Sequence, residues 1–186
     1  MMFGFTEIAE AVKGRFADSP LGRAAMERHF EGGMQSYDAP LGITRLPKEH
    51  GKWTGEHGDS KWVPDKDIIP LSQNPEGQTW DEILKGHNID GVPFTNGEAD
   101  FSEISRGTVE IDDFTDDRQK NFAQADIKLA GQRGRAPEEV REWRKENGYT
   151  WHECKDMRTV QLVPAEVHNN VPHTGGIAEI KRKEAA

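Results

Sequence analysis

The segment from Pro137 to Gly148 constrains the fold more than any other part of the chain. Pro137 stands at a first-turn position with Glu138 and Glu139 behind it, Val140 and Trp143 follow at helical spacing, and Arg144 and Lys145 come late. Acidic residues early and basic residues late complement the helix dipole. Proline is tolerated where the first N–H has no partner, and a glycine such as Gly148 ends the run. The spacing predicts a helix over 137–147. Directly after it, Tyr149 and Trp151 alternate with Thr150 and His152, the period of a half-buried strand. Lys155-Asp156 turns the chain, Thr159–Val163 (TVQLV) reads as a returning strand, and Pro164 starts a short helix, PAEVHNN. The predicted order is helix, strand, turn, strand, short helix, which belongs to the α+β class.

The rest of the chain is read with less detail. Phe5, Ile8, Ala9, Val12 and Phe16 predict an amphipathic helix over 5–17, and Pro20 opens a second one towards Phe30, stopped by Gly32-Gly33. From Ser36 to Pro75 the density of Pro and Gly predicts loops with short strands, pinned by Trp53 and Trp62. Thr79 can cap a short helix TWDEILK, with Asp81 and Glu82 in its first turn. Residues 86–107 read as loop, and TVEI at 108–111 as a strand. Phe122, Ala125, Leu129 and Ala130 predict a helix over 117–130, ended by Gly131 and Gly134. The reading divides the chain into an acidic region, 1–116, and a second domain, 117–186.

Length and composition set the remaining bounds. At 186 residues the chain can bury a real core, and five Trp and eight Phe supply material that disordered chains usually lack. Apolar runs are too short for a membrane span. The first residues, FGFTEIAEAVKGRF after the methionines, lack the apolar block of a cleavable secretory signal. Cys154 is the single cysteine, so an internal disulfide and an all-cysteine zinc site are both excluded. The net charge of −9 is unevenly spread: residues 1–116 hold 11 Lys/Arg against 22 Asp/Glu, and residues 117–186 hold 13 against 11. Nucleic acid should be repelled by the first region and tolerated by the second.

Three of the seven histidines fall within 152–173. His152 ends the first strand beside Glu153, His168 lies on the short helix, and His173 lies just past it. Imidazoles with a carboxylate around a small gap suit an open divalent-metal site, and imidazole is also suited to general-base work near neutral pH. Any one of these histidines alone is better read as a surface or packing residue; all three in one strand–strand–helix unit are not.

The run YTWHECKDMRTVQLVPAEVHNNVPHTGG resembles the C-terminal motif of HNH/endonuclease VII superfamily nucleases of the WHH type, toxin domains of bacterial polymorphic and contact-dependent toxins. The matching elements are Trp151-His152, the strand ending Leu162-Val163-Pro164, His168, and His173 with Gly175-Gly176. Where that motif has a second histidine, this chain has Glu153. The resemblance covers about residues 137–180 and implies a ββα-metal (His-Me finger) nuclease unit, preceded by helices and a loop-rich region. It implies a DNase acting as an antibacterial toxin through one divalent cation, whether Mg, Mn, Zn or Ni. His152 would be the general base, His168 and His173 metal ligands, and Glu153 a third ligand or an orienter of His152. Arg141, Arg144 and Arg158 would contact phosphate, since guanidinium matches phosphate geometry, and Gln161 would orient His152. Implied partners are nucleic acid and a cognate immunity protein. The implied location is the target-cell cytoplasm, reached by a secreted effector without a cleavable signal of its own.

Other polar and aromatic groups carry plainer readings. His50 and His57, with Glu49 and Glu56, read as loop residues; Trp53, Trp62 and Trp80 as a small core; Cys154 as a strand residue. A non-enzymatic module stapled by zinc through Glu153, His168 and His173 is the alternative function, and the shortage of cysteines argues against it.

Overall fold

The computed structural model describes residues 45–185. They belong to one structural unit, 39–186. The helices expected over 5–17 and from Pro20 to Phe30 lie outside the described residues.

Two small antiparallel sheets organise this unit. The first has the order β1-β2-β3-β4, built from β1 (Gly51–Trp53), β2 (Lys61–Pro64), β3 (Val92–Thr95) and β4 (Glu98–Ala99). Residues 86–107 were expected as loop, yet they supply both β3 and β4. Pro93 and the tight turn at Asn96-Gly97, both residues at positive φ, mask the short strands. Helix α1 (Trp80–Gly86) lies between β2 and β3 in the chain. Its capping box forms as the sequence suggests: Glu82 N–H donates to Thr79 Oγ1 and Thr79 N–H to Glu82 Oε2. Trp62, Trp80, Ile83, Leu84, Val92, Phe94 and Phe101 form a core to which Val163, Val167 and Val171 also belong.

The second sheet has the order β5-β7-β6, from β5 (Thr108–Glu110), β6 (Tyr149–Glu153) and β7 (Thr159–Pro164). The expected hairpin is there, with Trp151 opposite Leu162 and His152 opposite Gln161. Its turn is held by Asp156, whose carboxylate accepts from the N–H groups of Arg158 and Thr159. Strand β5 pairs with β7, so the sheet draws on residues before 117.

Helices α2 (Arg118–Arg133) and α3 (Pro137–Glu146) form a layer on one face of this sheet, where Phe122, Ala125, Leu129 and Val140 pack on Trp151, Val160 and Leu162. Helix α3 keeps its expected bounds to within a residue, with Gly148 at φ +69° after it. Asp117 caps α2 by accepting from the N–H of Gln119, and Gly131 does not end that helix. One glycine inside a helix costs only about 1 kcal/mol, and the left-handed stop falls at Gly134 (φ +61°). Past β7 the chain forms α4 (Ala165–His168), a short helix as expected, and then α5 (Gly176–Glu184). The α+β class and the strand–strand–helix order at the C-terminal end are as the sequence predicts.

A buried carboxylate ties the helical layer to the sheet. Asp126 on α2 accepts from Arg144 Nε (3.1 Å) and Nη2 (2.9 Å) on α3 and from Trp151 Nε1 (2.8 Å) on β6. All three residues are buried. Removing one partner of a buried ion pair leaves the other charge uncompensated, at a cost of about 3–5 kcal/mol. Asp126→Ala is therefore expected to lower unfolding free energy by about that amount in urea titration, whereas a loss under about 1 kcal/mol would show the pair to be dispensable.

Candidate metal centre

The histidine constellation follows from strand alternation. Successive side chains of β6 leave on opposite faces, so Trp151 and Glu153 point to the helical layer while His152 points the other way. His168 arrives from the end of α4. Pro172 lies beyond that helix, and His173 returns from the following loop. Its Nδ1 lies 2.7 Å from the Val171 carbonyl, which fixes Nδ1 as the protonated nitrogen and turns Nε2 inward. Phe101 floors the group, its ring centroid 4.9 Å from His152, 5.4 Å from His168 and 5.2 Å from His173.

The three imidazoles converge. His152 Nδ1 lies 3.2 Å from His168 Nε2, and His173 Nε2 lies 3.2 Å from the same atom. One nitrogen from each ring falls within 4.8 Å of the other two. His168 Nδ1 lies 2.9 Å from Asn169 Oδ1, so it carries the proton and leaves Nε2 as the lone pair. Burial pushes His168 down to about 3 and His173 down to about 4, and lowers His152 well below the usual imidazole range. After desolvation, the His173 charge adds to the shift at both His152 and His168. All three rings are thus neutral at pH 7 with lone pairs facing a common point. That is the protonation state and donor set a divalent transition metal requires, and three protein ligands leave an open position.

Glu153 does not join this set. Its carboxylate is buried among the helical layer, where it accepts from Asn121 Nδ2 (2.7 Å) and Arg118 Nε (3.1 Å). The expectation of Glu153 as a third ligand fails on alternation alone, since its neighbour His152 takes the metal-facing side. Burial raises the Glu153 pKa, with Asn121 and Arg118 opposing the rise. Arg118 is 59% exposed along its side chain, and its charge also lowers the pKa of each imidazole. It reaches Glu153 from the start of α2 with more than half of its side chain open to solvent.

His152, expected as a base standing apart from the ligands, instead lies within the imidazole set and is 1% exposed. Gln161 faces it across the hairpin without a hydrogen bond between them; His152 Nε2 and Gln161 Oε1 are both buried and without partners. Of the arginines expected at phosphate, Arg144 is committed to Asp126 in the core, Arg158 pairs with Glu110 Oε2 at 2.6 Å, and Arg141 is exposed on α3 in the helical layer. Arg118 and Phe101 are the neighbours that sequence reading missed. An arginine just after a helix cap and a phenylalanine in a turn-rich run carry no periodic or motif signal. Of the loop histidines, His57 packs against Trp53. His87, unremarked in the sequence, pairs with Glu166 Oε1 at 2.7 Å. The Cys154 thiol is pushed up to about 12 by burial, so in the metal-free chain it is protonated at neutral pH.

A mixed fold with a two-stranded hairpin, a short helix and a convergent histidine set is consistent with a ββα-type nuclease domain. In agreement, the family described as the DNase/tRNase domain of colicin-like bacteriocin matches residues 86–175, a span that contains both sheets' later strands and all three histidines. The match supports a nuclease toxin domain. No curated protein matches the chain.

Buried neutral imidazoles make stability depend on acid. The unfolded chain binds these protons near pH 6.5, and the folded chain binds them only near 4 and 3 at His173 and His168. Below pH 6.5 the unfolded state holds more protons, so stability falls as the pH drops towards those folded values. The melting temperature of the metal-free protein is expected to fall between pH 7 and pH 5, and His168→Gln to flatten that dependence. Equal slopes for the two proteins would show that the imidazoles are not buried in the neutral form.

Proposed function

We propose that this chain is a metal-dependent endonuclease toxin domain in which His152, His168 and His173 together hold one divalent cation. The convergence of three neutral ring nitrogens carries the reading. The residues fit such an ion, and when bound it supplies Lewis-acid stabilisation of charge developing on a scissile phosphodiester. A closed structural zinc site takes four protein ligands, and this set has three. That difference favours an open catalytic centre over a staple.

The chain's own residues take the remaining roles. Arg118, partly open and with its charge felt at all three imidazoles, is the proposed phosphate contact. Glu153 acts from the buried side as a positioning residue: its carboxylate accepts from Arg118 and Asn121 and so holds the arginine in place. His152 cannot serve as base while buried, because neither ring nitrogen is open to a solvent molecule outside the cluster. Gln161, directly opposite on β7, is the residue proposed to orient the His152 ring.

DNA is the proposed substrate, with the HNH/WHH type as the proposed subclass. The delivery of such a domain to the cytoplasm of a competing cell, and a cognate immunity protein in the producer, complete the proposal. The description of the matched family, DNase/tRNase of colicin-like bacteriocin, supports the toxin class and leaves RNA as the competing substrate.

Two variants separate the roles. Glu153→Gln should keep metal affinity in calorimetric titration and lose roughly tenfold or more in plasmid cleavage, the scale of a lost hydrogen bond to the Arg118 charge. His152→Ala should lose metal affinity itself. Normal metal binding by His152→Ala with loss of cleavage would return the base role to His152. Cleavage of tRNA and not of plasmid by the parent protein would reassign the substrate.

A further inference from the structure

His152 lies at the meeting point of two donor sets, of which the imidazole cluster is one. The second comprises His152, the Glu98 carboxylate from β4 and the Cys154 thiol from just past β6, with one ligand atom from each within 4.8 Å of the other two. Glu98 is held in place because its Oε1 accepts from the Lys155 N–H at 2.6 Å, which leaves Oε2 for a further partner. Cys154 and Glu98 are half-buried, so an ion can reach them, while His152 Nε2 is fully buried without a hydrogen-bond partner. A buried ring nitrogen lacking a partner costs free energy that a nearby electrophile or acceptor would recover.

We propose that Glu98, His152 and Cys154 form a second cation site, selective for a thiophilic divalent ion of the zinc class. A thiolate, an imidazole and a carboxylate make a soft, mixed donor set that zinc accepts in tetrahedral geometry and that magnesium or calcium does not. On binding, the sulfur–metal bond forms as the thiol S–H breaks, and the proton leaves to solvent. A neutral imidazole has one lone pair on nitrogen, so His152 serves one set at a time. Occupation of the second site therefore withdraws His152 from the three-imidazole centre and lowers affinity there. This competition rests on the function proposed above; the second site itself does not.

Cobalt(II) reports the difference directly, because cobalt bound to thiolate gives a near-ultraviolet charge-transfer absorption that cobalt on nitrogen and oxygen lacks. Titrating the reduced full chain with cobalt(II) is expected to develop this absorption. Cys154→Ser should abolish it, and Glu98→Gln, which retains an acceptor for Lys155, should weaken it roughly tenfold or more, the scale of a lost metal-site partner. His168→Ala, which removes a ligand of the first centre alone, should retain it. A parent protein without the absorption at saturating cobalt would overturn the proposal. So would an absorption that survives undiminished in both Glu98→Gln and His152→Ala, since the thiol would then bind cobalt without the set. Absent nuclease activity with these absorption changes intact would instead count against the function proposed above.

Discussion

Side chains on a strand leave alternately to its two faces, and for the five residues of β6 that constraint sets both the core and the centre. Trp151 goes to the helical layer, where its indole N–H meets Asp126 and its ring packs among residues of α2 and β7. His152 must then go to the other face, towards Phe101, His168 and His173. Glu153 returns to the helical face and meets Asn121 and Arg118. A one-residue slip of β6 against β7 would exchange these assignments throughout. The Asp126–Arg144–Trp151 contact opposes such a slip, because only the observed register brings the indole to the buried carboxylate. The ion pair deep in the helical layer thus bears on a site to which it makes no contact.

The same arrangement gives the site its electrostatic character. Three imidazoles crowded into a desolvated space can remain together only if uncharged, and burial depresses all three pKa values. The Arg118 charge acts in the same direction. Glu153, buried and bonded to Arg118, balances part of that positive charge. A set of neutral, inward-facing nitrogens is organised for a cation.

Much of this was legible in the sequence, for identifiable reasons. The capping signals of α3, the Thr79–Glu82 box of α1 and the alternation in the β6–β7 hairpin are local, so they survive without tertiary context. The three histidines were also legible as a set, because a hairpin followed by a short helix brings strand end and helix end together. Their division of labour was not. Sequence proximity suggested that His152 and Glu153 act side by side, whereas the pleat sends them apart. Arg144 looked like a phosphate contact on a helix surface, but Asp126, 18 residues away, claims it for the core. Arg118 and Glu98 lacked any local signal, since what distinguishes them is the long-range partner: Glu153 for one, Lys155 and the Cys154 neighbourhood for the other.

On the proposed function, His152, His168 and His173 hold one cation between them. A crystal structure of the full chain with a single equivalent of zinc, located by its anomalous scattering, tests it most directly. One peak is expected about 2.0–2.1 Å from a ring nitrogen of each histidine. A peak bound by His168 and His173 with His152 left out, or with the Glu153 carboxylate in its place, would contradict it.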